Sequence, residues 1–200
     1  TVALPMVHDS IPFTKRKSYL NCPQLPYLRL PGIQNISRTD IVVFNWPVDT
    51  VRYFFENKGL PGVIKPIDKK SNYVKRCVGV PGDSLAIKDG IVYIDGKILQ
   101  LPERAKPQFS YTVTTDGSTF DPTYLQSELN ITDQVIQIAQ ETFLFRALTE
   151  ESANRLKNNP IVKSVVRNIS KEIEPGIFPQ TNKWNQDNMG PIYIPQKGKT

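Results

Sequence analysis

Apolar residues fall in short runs that proline, glycine and Asp-Gly pairs cut off, and the runs have strand length rather than helix length. Residues 40–46, DIVVFNW, are β-branched and aromatic and stop at Pro47, which predicts a buried strand. VRYFF at 51–55 is expected to continue it after a bulge. Gly59, Pro61, Gly62 and Pro66 mark 56–71 as loop. Residues 72–83, NYVKRCVGVPGD, read as a strand to about Val80 and a turn at Pro81-Gly82-Asp83. In SLAIKDGIVYIDGKILQ (84–100), Asp89-Gly90 and Asp95-Gly96 separate three apolar runs. Asp-Gly supplies the positive φ angles of tight hairpins, so this stretch is a β-meander. Residues 40–46 and 72–100 are expected to share one antiparallel β system.

The pattern changes over 105–170. FSYTV (109–113) is a strand. Asp121 caps a helix with Pro122 at its first position, running to about Leu129. QVIQIA (134–139) and TFLFRAL (142–148) are strands. Thr149 caps a second helix, with Glu150 and Glu151 where the helix dipole favours negative charge. Asn158-Asn159-Pro160 stops it, and IVKSVVRNI (161–169) is a last strand. The order β-α-β-β-α-β is that of the ferredoxin-like split βαβ, which lets both helices cover one face. The fold class is therefore mainly β, with an inserted α+β module of ferredoxin-like order. Residues 1–104 and 171–200 form the β-rich core and 105–170 the insertion, to which a recognition or spacer role is assigned. Residues 1–38 lack periodicity and read as an irregular wrap or lid. Asn, Asp and Gly at 185–190 lack EF-hand spacing, so a turn is expected there.

Composition sharpens this picture. With 39% apolar residues and seventeen prolines, the chain suits a β-rich, loop-rich protein. The net charge of +6 is spread along the sequence, whereas nucleic-acid readers concentrate basic residues on one face, so no nucleic-acid partner is expected. No stretch reaches the ~18–20 apolar residues that span a bilayer, and no signal-peptide pattern opens the chain. It starts at Thr1, and an upstream segment is expected. His8 is the single histidine, and Cys22 and Cys77 form no CxxC. No metal or cofactor is expected, and pairing of the two cysteines stays open.

Lys75 and Arg76 stand inside an apolar run, and three roles compete for the lysine. It is an exposed cation on an edge strand, or an ion-pair partner, with Asp83 as one candidate, or a general base. A lysine near its ordinary pKa of about 10.4 is a poor base. Burial among groups such as Tyr73, Val74 and Val78 disfavours the ammonium, and a neutral amine can then take the proton of a serine hydroxyl.

Lys75-Arg76-Cys77-Val78-Gly79-Val80-Pro81-Gly82-Asp83 resembles the K-R-x-x-G-x-P-G-D box of bacterial type I signal peptidases. DIVVF at 40–44 is similar to the strand box G-D-[IV]-[IV]-V-F that precedes it, with Thr39 where glycine is usual. The similarity covers about residues 40–100, and the meander and inserted module fit the family layout. The resemblance implies a Ser-Lys serine endopeptidase in which Lys75 is the general base. Arg76, Gly79, Pro81, Gly82 and Asp83 are the supporting residues of the box. It further implies that signal peptides of exported pre-proteins lie extended beside Asn72, Tyr73 and Val74, with Ile41, Val43 and Val74 as pocket walls. The family sits at the bacterial inner membrane through an N-terminal anchor, its catalytic part outside the cytoplasm.

Two features depart from the family. Its serine box, Ser-Met-x-Pro-Thr, does not occur. Ser10-Ile11-Pro12-Phe13-Thr14 has the proline one position early, and the adjacent His8-Asp9-Ser10 does not suit triad geometry. The late box G-D-N-x-x-N-S-x-D-S-R is also absent, Trp184–Pro191 sharing only an Asp and some Asn with it. The expectation is the middle of a longer enzyme, inactive by itself. Two alternatives stay open: a self-cleaving repressor-type Ser-Lys protease, and a non-enzymatic β-rich module in which Lys75-Arg76 contacts an acidic partner.

Overall fold

The β-branched and aromatic runs become antiparallel strands: 33% of the described residues are strand and 10% helix. The computed structural model describes residues 10–11, 13–14, 16–20, 22–23, 26, 30–46, 62–179 and 181–199. The chain divides into two compact units, Thr1–Val78 and Gly79–Thr200.

In the first unit, β1 (Ile41–Asn45) and β2 (Asn72–Arg76) form a two-stranded antiparallel ribbon. Lys75 stands opposite Val42, Val74 opposite Val43, and Tyr73 opposite Phe44. Main-chain bonds from Thr39 N to Cys77 O (2.6 Å) and from Cys77 N to Asp40 O (2.8 Å) prolong the pairing. A short 3-10 turn at Ile67–Lys69 precedes β2. The expected continuation at 51–55 and most of the expected wrap over 1–38 lie outside the described residues. Among the described residues of that wrap, Ser18 and Tyr19 are buried.

The second unit holds two four-stranded sheets. In one, the meander β3 (Ser84–Lys88), β4 (Ile91–Ile94) and β5 (Lys97–Ile98) is joined at its β3 edge by β10 (Met189–Tyr193). Asp89 and Gly90 have φ of 50° and 73°, and Asp95 and Gly96 have 51° and 78°, the paired positive values of type I′ hairpins.

The expected single β system is corrected here: β1 and β2 pair with each other, and the meander belongs to a separate sheet. Strand β2 also ends at Arg76 and not near Val80. The cause is local. Pro81 has no N–H to donate, and Val80 and Asp83 are occupied in closing a turn. The open edge of β3 is then filled by residues from the far end of the chain.

The other sheet contains β6 (Gln108–Thr115), β7 (Ile136–Ala139), β8 (Thr142–Thr149) and β9 (Val162–Arg167), in the order β7-β8-β6-β9. With α1 (Pro122–Ser127) and α2 (Glu150–Lys157), it follows the split βαβ order, antiparallel throughout. Both helices bury their apolar residues in one cluster with Tyr111, Val113, Phe143 and Phe145. Full burial of Phe145, Leu148 or Leu156 contributes about 1.5–3 kcal/mol each. The caps form as the sequence implies: Asp121 accepts from Thr123 N at 2.8 Å and Thr149 from Ser152 N at 3.1 Å.

Candidate active site

Lys75 is held by the register of a two-stranded ribbon. Directly opposed residues share a face, and neighbours along a strand alternate. One face therefore carries Lys75, Val42, Phe44 and Tyr73, and the other carries Ile41, Val43 and Val74. On the lysine face Tyr73 is the hub of an aromatic set. Phe44 stacks on it at 6.3 Å between ring centroids, and Trp46 meets it edge-on at 5.7 Å. On the opposite face Ile41 and Val43 are each 66% exposed and Val74 60%. The three candidate wall residues thus stand together, open to the outside and turned away from the lysine. Asn72 is tied across the ribbon, its side-chain oxygen accepting from Asn45 Nδ2 at 2.8 Å.

Lys75 itself is exposed. Among the described residues its amine makes no hydrogen bond or ion pair. The burial expected from the neighbouring apolar residues does not arise. Arg76 differs: its Nη1 donates to the Thr39 carbonyl at 2.7 Å. Asp83 is buried, and its Oδ2 accepts from Val80 N at 2.9 Å.

The rest of the box builds a rigid turn in the second unit. Gly82, at φ +99°, takes a conformation that a side chain would oppose, and its N–H donates to Ile194 O at 2.9 Å. Gly79 lies so close to Leu85 and Ile194 that an added Cβ would stand 2.5 Å from Ile194 Cδ1. Pro81 is exposed at the bend.

Ser10 forms an isolated bridge to Lys17, and His8 and Asp9 lie outside the described residues. Cys22 and Cys77 are not in a disulfide. No group of three or more metal-ligating side chains occurs among the described residues, and no helix among them is long and apolar enough to cross a membrane. Sequence reasoning missed Asn45, whose Nδ2 also reaches Ile67 O at 3.1 Å and braces the ribbon. It also left Thr39 unexplained. Thr39 has φ +74°, which accounts for glycine being the family's usual residue there.

A family model described as signal peptidase, peptidase S26 matches residues 9–165, more than half of the chain. The signal peptidase I of Bacillus licheniformis is 46% identical over 54 residues, 26% of this chain and 29% of that protein. The signal peptidase I of Bacillus caldolyticus is 49% identical over 35 residues, 18% of this chain and 19% of that protein. The chain thus spans less than a third of the curated relatives it matches. No solved structure matches it. On the strength of the family match, which takes in the whole Lys75–Asp83 box, the chain belongs to the signal peptidase, peptidase S26, family.

Proposed function

We propose that the chain carries the general base of a Ser-Lys signal peptidase, and that Lys75 is this base. One observation supports the assignment most. Of the three charged residues in the box, Arg76 and Asp83 are bonded into the fold, while the Lys75 amine makes no bond among the described residues. A group held at a fixed place on a strand, with its hydrogen-bonding capacity unused, is available for chemistry.

In this reading the neutral amine removes the hydroxyl proton of a serine as its oxygen attacks the scissile carbonyl carbon. The resulting ammonium then protonates the departing amine of the mature protein. The family's serine box does not occur in these 200 residues, so the nucleophile comes from outside them. A lysine serves as base only when its ammonium is desolvated, and the docked substrate and serine segment provide that cover. The signal peptide lies extended along β2 and pairs with its main chain. Alternate substrate residues then face the Lys75 side and the Ile41, Val43 and Val74 side. Site and substrate meet at the bacterial inner membrane, on its extracytoplasmic surface.

The test is to express in full the reading frame that encodes these residues, supply a pre-protein in detergent, and identify products by mass spectrometry. Cleavage after a small-x-small sequence is expected, abolished by Lys75→Ala without a lower melting temperature. Absence of any processing by the unmutated protein would overturn the assignment. The 200-residue chain alone is expected to be inert. Processing by it that disappears in Ser10→Ala would make Ser10 the nucleophile. The exposure of Lys75 favours one other reading, a non-enzymatic contact with an acidic partner.

A further inference from the structure

The helices cover the sheet of the α+β module unevenly. α2 packs against β6, β8 and β9. The β7 side is left to α1, whose six residues make a rod of about 9 Å, beside a strand β8 of about 27 Å. A cleft of about 480 Å³ remains between α1, the loop after it and β7, within the range of ligand sites. Phe120, Leu125, Ile131, Val135 and Phe143 form its apolar part. Asp133 is the one charged residue among those lining it. It is exposed, and among the described residues it makes no hydrogen bond or ion pair. Along the same cleft runs β7, which pairs with β8 on one side and, among the described residues, with no strand on the other. Gln137 of β7 lines the cleft, and its side-chain amide donates to Gln140 O at 3.1 Å.

We propose that this cleft binds an extended polypeptide segment that adds to the free edge of β7 and places a lysine or arginine side chain between α1 and β7. Two features select this occupant. A free strand edge offers main-chain donors and acceptors that an extended backbone satisfies. An apolar trough ending at an unpaired carboxylate matches a side chain with an aliphatic stem and a cationic head. The methylenes lie on the Phe120, Leu125 and Phe143 side and the cation reaches Asp133. The edge is four residues long, so the contact is weak and auxiliary, suited to guiding a polypeptide partner. The proposal does not depend on the role of Lys75.

The test uses the 200-residue chain labelled with ¹⁵N and three blocked pentapeptides. The first is acetyl-Thr-Val-Arg-Val-Thr-amide. The second has glutamate for arginine, and the third has proline for both valines, which removes strand pairing. Saturable shifts of the Thr132–Gln134 and Gln137–Ala139 amides are expected with the arginine peptide. Binding should be weaker with the glutamate peptide and absent with the proline peptide. Asp133→Asn, at an exposed rim position, should weaken the arginine peptide about threefold, and Asp133→Lys should invert the preference between arginine and glutamate. Equal shifts with all three peptides, shifts confined elsewhere, or no saturable shift would overturn the proposal. Dilution alone moving the β7 amides would overturn it too, by showing that a second copy of the chain covers the edge.

Discussion

Thr39 holds a backbone conformation that its own side chain resists. At φ +74° the β-branched residue is strained by about 1–3 kcal/mol. Its N–H and C=O are both fixed, by the Cys77 carbonyl at 2.6 Å and by Arg76 at 2.7 Å, so the strain cannot relax. Thr39→Gly is therefore expected to raise stability by about 1 kcal/mol, after allowing for the greater freedom of glycine in the unfolded chain. A urea melt reads this directly, and a lower midpoint would mean that the threonine side chain makes a compensating contact. Tyr111 gives a second test at this scale. Burial raises its phenol above the ordinary 10.0, Arg167 opposes the rise, and Glu150 adds to it. A group whose folded value is raised contributes stability below its unfolded value and loses it as pH climbs through the folded one. The Tyr111 contribution is thus complete below about pH 10 and disappears above it. Tyr111→Phe should flatten the alkaline decline in stability, and an unchanged decline would contradict the cause given.

At the scale of elements, the sequence was most legible where a local rule decides. Asp-Gly pairs fix the turns of the meander, and Asp121, Pro122 and Thr149 fix the two helix starts, because each signal acts within four residues. Long-range pairing was not legible. The stop of β2 at Arg76 was missed for a local reason, the turn that Val80 and Asp83 close with each other. Strand β10 was missed because Gly190 and Pro191 interrupt it, although Ile192, Tyr193 and Ile194 carried a strand signal. Proline is tolerated there because β10 is an edge strand. Gly190 is needed for a different reason. At φ +95°, an added Cβ would lie 2.7 Å from Leu85 O and 2.9 Å from Ala86 Cα, both backbone atoms that cannot step aside. Gly190→Ala should cost about 2 kcal/mol or more and release β10 from β3. Faster amide exchange at Ile192 and Ile194 would register the release, and unchanged exchange would contradict it. In the candidate site, the Lys75 box was read from its spacing. The exposure of Lys75 was not, because apolar neighbours in sequence enclose a side chain only when a second layer covers the strand.

At the scale of the molecule, the two units carry different functions in this account. The buried cluster that includes Val113, Phe145 and Leu156 belongs wholly to the second unit. A protein of residues 79–200 should therefore fold without the first 78, and a dispersed ¹H–¹⁵N spectrum would show it. A collapsed spectrum would mean that the second unit needs the first. In the proposed function the reaction rests on the single amine of Lys75. Lys75→Ala removes both its charge and its basicity, whereas Lys75→Arg keeps the charge and, being protonated at every working pH, removes only the basicity. The deciding measurement is the rate of pre-protein cleavage by the full reading frame carrying Lys75→Arg, with a matched thermal melt. A general base at this position requires the rate to fall by about a hundredfold or more while the melt stays unchanged. Cleavage by Lys75→Arg at close to the unmutated rate would show that a positive charge is all the position supplies, and would contradict the Ser-Lys assignment.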